Sequence, residues 1–497
     1  MNTGRIKTLV ILAMLILTCC LYAQTNGFRI ESVSYEITGS TREYPLRKAV
    51  PIDTKTVFQD QTALDTYITK IRLLFSNERV FDSSEVIALY GEADNFGIVP
   101  VFLTVRTEDT INIIALPYPK YNSNDGLSLK IKIKNYNFFG SMQELDTEFV
   151  YESDIDGDKS IEGGFSFVIP FVAYTYECIW DIASSLTWHF ESDPEFDLNT
   201  GLDVAFPLSF ADLHLGFVQS IHINDRDDDN EQYVDDLYFS ERLYVKLPIT
   251  LYKTDSFGDV VWTPYISFLA NWDSDGISSE DLKGPDVRFG QTISVGQIDW
   301  DRNFRNGVSA EAGVSWTHNF NSPQRKEVTI DSTIKAYKSF YDRLALYTRL
   351  RGFYNFDDFI SEKQGVMLRG ILDKRIQTDT AVFLNIDIPV RVMRVDFLEI
   401  TGVSWTRYIS FEMHVSPFFD MAITHDLDTG SQYSFTDGWY AGGLEVIVFP
   451  LKMRSIYARA SVGFDLVEAW ESGNLSGESK RDGESIREIS IGLGFQY

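Results

Sequence analysis

The sequence predicts a small α+β domain followed by an antiparallel transmembrane β-barrel. Near the N-terminus, one amphipathic helix lies among short strand-like runs. In the long remainder, strand-like runs of 9–15 residues alternate with polar segments. Runs of about ten residues that alternate in hydrophobicity are typical of strands facing lipid on one side and a barrel interior on the other. A third observation, an export segment at the N-terminus, is consistent with this location.

The N-terminal segment predicts export. Arg5 and Lys7 precede an apolar run over residues 9–21, and the small residue Ala23 follows it. This order of charge, apolar run and small residue is that of a secretory signal peptide over residues 1–23. A retained anchor is the alternative.

Composition and cysteine content narrow the class of protein. The 497 residues include 44 Lys+Arg and 72 Asp+Glu, a net charge of −28, which argues against nucleic acid or anionic lipid headgroups as partners. A lipid anchor at Cys19 or Cys20 is an alternative to the signal peptide. Once that segment is removed, Cys178 alone remains, and a single cysteine cannot form an internal disulfide.

Residues 28–108 predict the α+β domain. The clearest helix covers residues 62–77, where apolar side chains recur at three- and four-residue spacing. A shorter helix is predicted over 41–50, and strands over 28–37, 80–90 and 99–107. The predicted order is therefore β-α-α-β-β.

Residues 110–497 predict the barrel, through eighteen strand-like runs. The runs lie near 110–119, 127–136, 143–153, 160–171, 178–190, 197–207, 210–223, 238–252, 258–271, 287–299, 307–319, 326–339, 343–356, 379–393, 408–422, 438–449, 455–468 and 486–497. In the run near 408–422, one face carries mostly polar residues and the other carries apolar residues. The first face comprises Glu412, His414, Ser416, Phe418 and Asp420. An even number of strands is expected if both ends of the barrel chain lie on the same side of a membrane.

The sequence does not predict an enzyme. It contains neither a Gly-x-Ser-x-Gly nor a His-Glu-x-x-His motif. His414, beside Glu412, is interpreted as a polar residue of the barrel interior rather than a catalyst. The acidic runs Asp225-x-Asp227-x-Asp229 and Asp154-x-Asp156-Gly157-Asp158 are candidate calcium ligands, with a solvated acidic loop as the preferred interpretation. No metal or cofactor is predicted.

Two short motifs resemble a known family. Leu368-Arg369-Gly370 lies in a polar segment between two strand-like runs, and Phe418-x-Asp420 ends a later strand. This pair resembles the loop and strand motifs of BamA-type outer-membrane assembly and translocation barrels. The resemblance implies that the loop folds back into the barrel and that its arginine meets the aspartate. Ile371 stands where that family usually has an aromatic residue, and Ala422 where it usually has glycine.

Further residues extend the hypothesis. Asn385 and Asp387 are predicted to face inward in the next strand and to help hold the loop. The C-terminal pattern of Ser490, Gly492, Phe495 and Tyr497 resembles the β-signal by which outer-membrane barrels are recognised for insertion. Residues 28–108 look like a POTRA domain, by order and size.

The resemblance implies a barrel of about sixteen strands in the bacterial outer membrane, with one POTRA domain in the periplasm. It implies the insertion or translocation of client proteins, which would pair with the POTRA sheet edge and the barrel seam, and accessory assembly subunits are further expected partners. The alternatives are a dedicated secretion pore for one partner protein and a passive solute channel.

Overall fold

The computed structural model describes most of the chain beyond its N-terminal segment. The described residues are 27–122, 126–153, 159–190, 193–223, 225–226, 234–235, 237–254, 257–272, 284–321, 326–356, 361, 363–425, 433–452 and 457–493. The predicted signal peptide, residues 1–23, lies outside them. The chain divides into two compact units, Met1–Thr110 and Ile111–Tyr497, which we describe separately.

The first unit is a four-stranded sheet with two helices. Its elements are β1 (Gly27–Thr38), α1 (Glu43–Ala49), β2 (Val57–Phe58), α2 (Gln61–Asn77), β3 (Phe81–Tyr90) and β4 (Ile98–Asp109). The strand order is β2-β1-β4-β3, with β1 parallel to β4 and the other neighbours antiparallel. The observed order matches the predicted one, with the two-residue strand β2 added.

The core of this unit forms between α2 and the sheet. Asp60 caps the helix by accepting a hydrogen bond from the Ala63 amide at 2.8 Å, which satisfies one of the free N–H groups of the first turn. The apolar stripe of α2 is buried through Leu64, Ile68, Ile71 and Phe75. Alternate residues of β4 are also buried, as expected for a strand with one covered face; they are Val99, Val101, Leu103 and Val105.

The second unit forms a closed antiparallel barrel. Its strands, with the short pair β12 and β13 that forms a separate sheet, are β5 (Ile113–Asn122), β6 (Gly126–Asn135), β7 (Leu145–Ser153), β8 (Lys159–Ala173), β9 (Tyr176–His189), β10 (Glu195–Pro207), β11 (Asp212–Ile223), β12 (Asp225–Arg226), β13 (Val234–Asp235), β14 (Tyr238–Lys246), β15 (Ile249–Tyr252), β16 (Val260–Trp272), β17 (Pro285–Asp301), β18 (Phe304–Asn319), β19 (Lys326–Phe340), β20 (Leu344–Asn355), β21 (Thr380–Asp387), β22 (Val390–Val395), β23 (Phe411–Thr424), β24 (Trp439–Pro450), β25 (Ala458–Asp465) and β26 (Arg487–Leu493). Two short helices, α3 (Phe397–Thr401) and α4 (Leu466–Ser472), lie in connections.

The described barrel has eighteen strand positions. Its closed sheet contains twenty strands, but β14 and β15 both pair with β16, and β21 and β22 both pair with β20 and β23. Each of these two pairs therefore fills one position. Pro248 and Pro389 lie at the two interruptions, and the missing proline N–H explains why the ladder breaks there.

Each position corresponds to one of the eighteen runs in the sequence. The count of sixteen implied by the family resemblance is therefore wrong for this chain. Every one of the eighteen positions has a neighbouring strand on both sides in the described barrel.

The strands show the alternation expected of a barrel wall. In β23, every second residue from Glu412 to Ala422 is buried, whereas Pro417 and Phe419 on the opposite face are exposed. Large apolar side chains are exposed on other strands too, including Leu129, Ile131, Phe149, Leu243, Phe289 and Leu350. Among the residues that the model describes, none forms a helix long and apolar enough to cross a membrane.

The two ends of the barrel differ. The connections at one end, here called the long-loop end, include residues 356–379 and 466–486. Several connections at the other end are tight turns, such as Arg302–Asn303 between β17 and β18, and we call it the short-turn end. The 396–410 connection between β22 and β23 is a longer segment at that end. Outer-membrane barrels commonly have this asymmetry, with short periplasmic turns and longer outer loops.

Candidate functional site: a loop held inside the barrel

Residues 363–378, here called the Arg369 loop, fold as two single 3-10 turns joined by a bent segment, residues 368–372. The turns are Gln364–Met367 and Asp373–Arg375. Glycine is required at position 365, inside the first turn, because a β-carbon there would overlap the carbonyl oxygen of Leu372. Leu368 and Ile371 lie in the bent segment and are at most 1% exposed, so the loop carries its own apolar anchors.

Arg369 and Asp420 form the central contact of the site. Arg369 donates from Nε to Asp420 Oδ2 at 3.0 Å and from Nη2 to Asp420 Oδ1 at 2.9 Å. The Arg369 backbone N–H also donates to Oδ2, at 2.9 Å. The side chains are 3% and 0% exposed. Such a bidentate pair fixes both the distance and the plane of the guanidinium group, so the loop has one orientation on β23.

Two more carboxylates neutralise and orient the same guanidinium group. Arg369 Nη1 donates to Asp387 Oδ1 at 2.6 Å and lies 3.6 Å from Glu445 Oε2. Arg459 donates to the other oxygen of Glu445 at 3.2 Å. Below the guanidinium group lies the ring of Phe418, 3.8 Å from Arg369 Cζ, a cation–π contact. The buried charge is therefore paired on several sides.

The predicted supporting residues contact the loop. Asn385 Nδ2 donates to the carbonyl oxygen of Met367 at 2.9 Å, and Asp387 accepts from Arg369 as described above. Ile371 and Ala422, the two residues that depart from the family pattern, are both fully buried in one apolar cluster. The cluster joins Phe353, Leu368, Ile371, Ile376, Ala381, Phe383, Ala422, Trp439 and Ala441.

Glycines on the wall leave space for the loop backbone. Gly370 has φ +104°, a conformation that favours glycine, and a β-carbon on it would overlap the backbone nitrogen of Phe464. A β-carbon on Gly463 of β25 would lie 2.6 Å from the carbonyl oxygen of Arg369. Glycine inside a strand often marks the close approach of another backbone, and here the approaching segment is the Arg369 loop.

Several residues of the site were not predicted from the sequence. Glu488 of β26 accepts a hydrogen bond from the Gly370 amide at 2.7 Å. Arg375 donates to Asp465 at 3.0 Å and to Asp482 at 2.7 Å. Gly463 lies inside a predicted strand. A glycine in that position was the feature of the sequence that indicated a close backbone contact.

Asp482 lies in a connection at the long-loop end. Burial by itself would raise the pKa of the Asp482 carboxyl group. The hydrogen bond from Arg375, together with smaller contributions from other partners, outweighs burial, so the pKa lies below its ordinary value. The charged form is therefore favoured, and the loop is tied to the segment before β26.

Other residues predicted from the sequence lie apart from the Arg369 loop or outside the described residues. Ser490 and Gly492 lie in β26, whereas Phe495 and Tyr497 fall outside the described residues. The candidate calcium ligands Asp154, Asp156, Asp158, Asp227 and Asp229 also fall outside them. In the described part of the chain, no group of three or more His, Cys, Asp or Glu side chains could hold a metal ion.

His414 lies inside the barrel wall. Its Nε2 is 2.8 Å from Glu412 Oε1, and its ring stacks on Phe304 with 4.5 Å between centroids. Both polar side chains are 1% exposed. This environment fits the predicted role of an interior polar residue.

Among the described residues, the last and first barrel strands are joined by little regular pairing. Within the described residues, the register of β26 with β5 contains one pair, Ser490 opposite Asn122. On its other side, β26 pairs with β25 over seven residues, from Ala458 opposite Leu493 to Phe464 opposite Arg487. We call the β26–β5 junction the seam.

Solved structures of outer-membrane barrels are similar to this chain. CdiB from Acinetobacter baumannii matches at 11% identity and a TM-score of 0.47, over 94% of this chain and 74% of that one. BamA from Haemophilus ducreyi lacking POTRA domains 1–3 matches at 11% identity and a TM-score of 0.40, over 94% and 84%. CdiB from Escherichia coli matches at 9% identity and a TM-score of 0.41, over 95% and 92%.

No protein-family model matches the sequence, and no curated protein matches it.

Proposed function

We propose that this chain is an outer-membrane β-barrel that inserts client proteins into the membrane or translocates them across it. The observation that supports this proposal is the seam, where the described register contains one pair, Ser490 with Asn122. Each backbone hydrogen bond contributes about 0.5–1.5 kcal/mol net, so opening this junction costs less than opening a fully paired one. The freed edges would present unpaired N–H and C=O groups to a client strand.

The Arg369 loop gives the barrel a fixed internal element beside the seam. Its Gly370 amide is bonded to Glu488 of β26, and Arg369 is bonded to Asp420 of β23. The loop thus ties the last strand to the wall from the inside. We propose that this tie holds β26 in place while the edge of β26 that faces the seam stays available for pairing with a client strand.

The first unit supports client capture. We propose that it is a POTRA domain in the periplasm. Strand β3 is an edge of its sheet, and β2 pairs with only Phe28 and Arg29 of β1 among the described residues. The rest of that β1 edge is open. Both edges could add a client strand through main-chain hydrogen bonds, and either could seat an accessory assembly subunit.

The energy for this function would come from the client. Folding of the client strands and burial of their apolar surface in lipid are favourable by about 25 cal/mol per Å² of apolar area. We propose no catalytic step and no cofactor.

Depletion of the protein, followed by mass spectrometry of the outer-membrane fraction, tests the function. We expect many other barrel proteins to fall together if the chain is a general insertase. Loss or trapping of one exported protein alone would indicate a dedicated secretion pore. Unchanged levels of every client, with a stable ion conductance of the purified barrel, would contradict the proposal and indicate a passive channel.

A further inference from the structure

The short-turn end carries a cavity surrounded by arginines, here called the arginine cavity. Its lining residues are Arg302, Arg343, Arg391, Val392, Met393 and Arg394, and its volume is about 580 Å³. No acidic side chain lines it. The volume lies in the range of about 300–1,000 Å³ that is usual for small-molecule sites.

Two of these arginines are oriented by carboxylates outside the lining. Arg302 lies 2.6 Å from Asp342, and Arg391 lies 3.6 Å from Glu412, which also contacts His414. These two ion pairs neutralise part of the positive charge of the four arginines.

The other two arginines leave positive charge in excess. Arg343 and Arg394 are exposed and form no ion pair with another described residue. The backbone holds Arg343 beside Arg391, since the Arg391 amide donates to the carbonyl oxygen of Arg343 at 2.8 Å. Guanidinium groups placed in this way suit a phosphate, which can accept paired hydrogen bonds from each of them.

The 396–410 connection follows the cavity directly in the chain and presents apolar side chains to its surroundings. Ile400 is 69% exposed and Trp405 is 61% exposed, and Val403 between them is also exposed. Several exposed apolar side chains in one short segment are typical of contact with a membrane or a partner.

The connection is internally bonded, so this exposure is a fixed feature of it. Asp396 caps α3 by accepting from the amides of Leu398 and Glu399. Ser410 Oγ accepts from the Phe397 amide at 3.0 Å and donates to the carbonyl oxygen of Thr406 at 3.1 Å.

The connection begins on the outward face of the barrel. The ring of Phe397 packs against that of Phe411, with 6.4 Å between centroids. Phe411 shares its face of β23 with Phe419, which is exposed, and the buried residues from Glu412 onward occupy the opposite face. The connection therefore begins beside the surface that would meet lipid.

We propose that the arginine cavity binds the phosphate of an anionic glycerophospholipid. The acyl chains of that lipid would lie against Val392 and Met393 and the exposed apolar residues of the 396–410 connection. The combination of guanidinium groups and apolar side chains in one lining matches an amphiphile better than it matches a free anion. This inference rests on the proposed function, because it requires the barrel to lie in a membrane.

The net charge of the whole chain does not oppose this site. A charge of −28 argues against anionic lipid as a general partner, but the field at a site depends on the groups around it. Four arginines face this cavity, and the three neighbouring carboxylates, Asp301, Asp342 and Glu412, offset only part of their charge.

Native mass spectrometry of the full chain in neutral detergent tests the proposal, with phosphatidylglycerol, phosphatidylcholine, dihexanoyl phosphatidylglycerol and inorganic phosphate as probes. We expect phosphatidylglycerol to bind about ten-fold more tightly than phosphatidylcholine. Arg343→Glu and Arg394→Glu should each abolish that preference. Lys253→Glu, a charge reversal in an exposed turn at the same barrel end, should leave it unchanged. Trp405→Ala should reduce the advantage of the long-chain lipid over the dihexanoyl form.

The results separate this inference from the proposed function. Retained preference in both arginine variants would overturn the site. Equal binding of inorganic phosphate and long-chain lipid would overturn the lipid occupant and indicate a free-anion site. Heat-modifiable gel mobility measures separately whether the barrel is folded, and insertion into liposomes measures whether it enters a membrane. Loss of lipid preference in a folded, inserted barrel contradicts only this inference, whereas failure to insert contradicts both.

Discussion

A β-carbon on Gly463 would lie 2.6 Å from the carbonyl oxygen of Arg369. The backbone of the Arg369 loop therefore rests directly on β25, with no room for a side chain between them. The ion pair with Asp420 lies on one side of this contact, and the bond to Glu488 lies on the other. The loop is held by shape as well as by charge.

Gly463→Ala should displace the Arg369 loop while the barrel remains closed. Overpacking of this kind costs about 1–3 kcal/mol. We expect faster hydrogen exchange in residues 365–376, measured by mass spectrometry on the full chain. Gly477→Ala is the control, because a β-carbon there has open space. Equal protection in the Gly463 variant and the wild type would show that the loop contact is not tight.

Arg369→Ala should release the loop and lower client assembly without preventing barrel insertion. It leaves Asp420 buried without its partner, a loss of about 3–5 kcal/mol for a buried pair. Asp420→Ala should have a similar effect. The double variant should cost less than the sum of the two, because each single variant already removes the shared contact. Thermal unfolding measures the coupling, with the exposed Arg407→Ala as control.

Wild-type client levels in both single variants would contradict a functional role for this ion pair. Additive effects on stability would contradict direct coupling between Arg369 and Asp420.

Glu78→Gln should stabilise the first unit at neutral pH. Burial raises the pKa of the Glu78 carboxyl above its ordinary value. The protonated form is therefore the one that the fold favours, and this contribution is present below the ordinary pKa and lost as pH rises through the raised one. Glutamine removes the cost of the buried charge.

Hydrogen exchange of α2 at pH 7 and at about pH 4 measures the effect of Glu78→Gln, since the unperturbed pKa of Glu is about 4.3. We expect greater protection in the variant at pH 7 and a smaller difference at the lower pH. A difference that does not change with pH would show that the carboxyl charge is not responsible. Glu85→Gln, in an exposed position of β3, is the control.

The sequence predicted the wall of the barrel better than its interior contacts. Period-two patterns identify which face a residue occupies, so the inward series from Glu412 to Asp420 was predictable. Pro248 and Pro389 interrupt two strands, but the segments on both sides of each proline remain in the barrel sheet. The sixteen-strand count failed because it came from the family resemblance, whereas the runs themselves numbered eighteen.

The remaining site residues depend on the three-dimensional register. Glu488 lies 118 residues beyond Gly370, and Asp482 lies 107 residues beyond Arg375. Alternation gives the face of such a residue but not its depth along the barrel, so these contacts could not be paired from sequence. The Arg369–Asp420 contact was predictable only because two short motifs resembled a known pairing.

A disulfide across the seam tests the central claim most directly. Asn122→Cys with Ser490→Cys would join the one described register pair of β26 and β5, and Ala460→Cys with Ile491→Cys would join β25 to β26 as the control. Directly opposed antiparallel residues are close enough for a disulfide. Quantification of other outer-membrane barrels in cells that depend on each variant is the measurement. The account predicts that client levels fall with the oxidised seam pair, recover with reductant, and remain normal with the control pair. Normal client levels with a fully formed seam disulfide would contradict it.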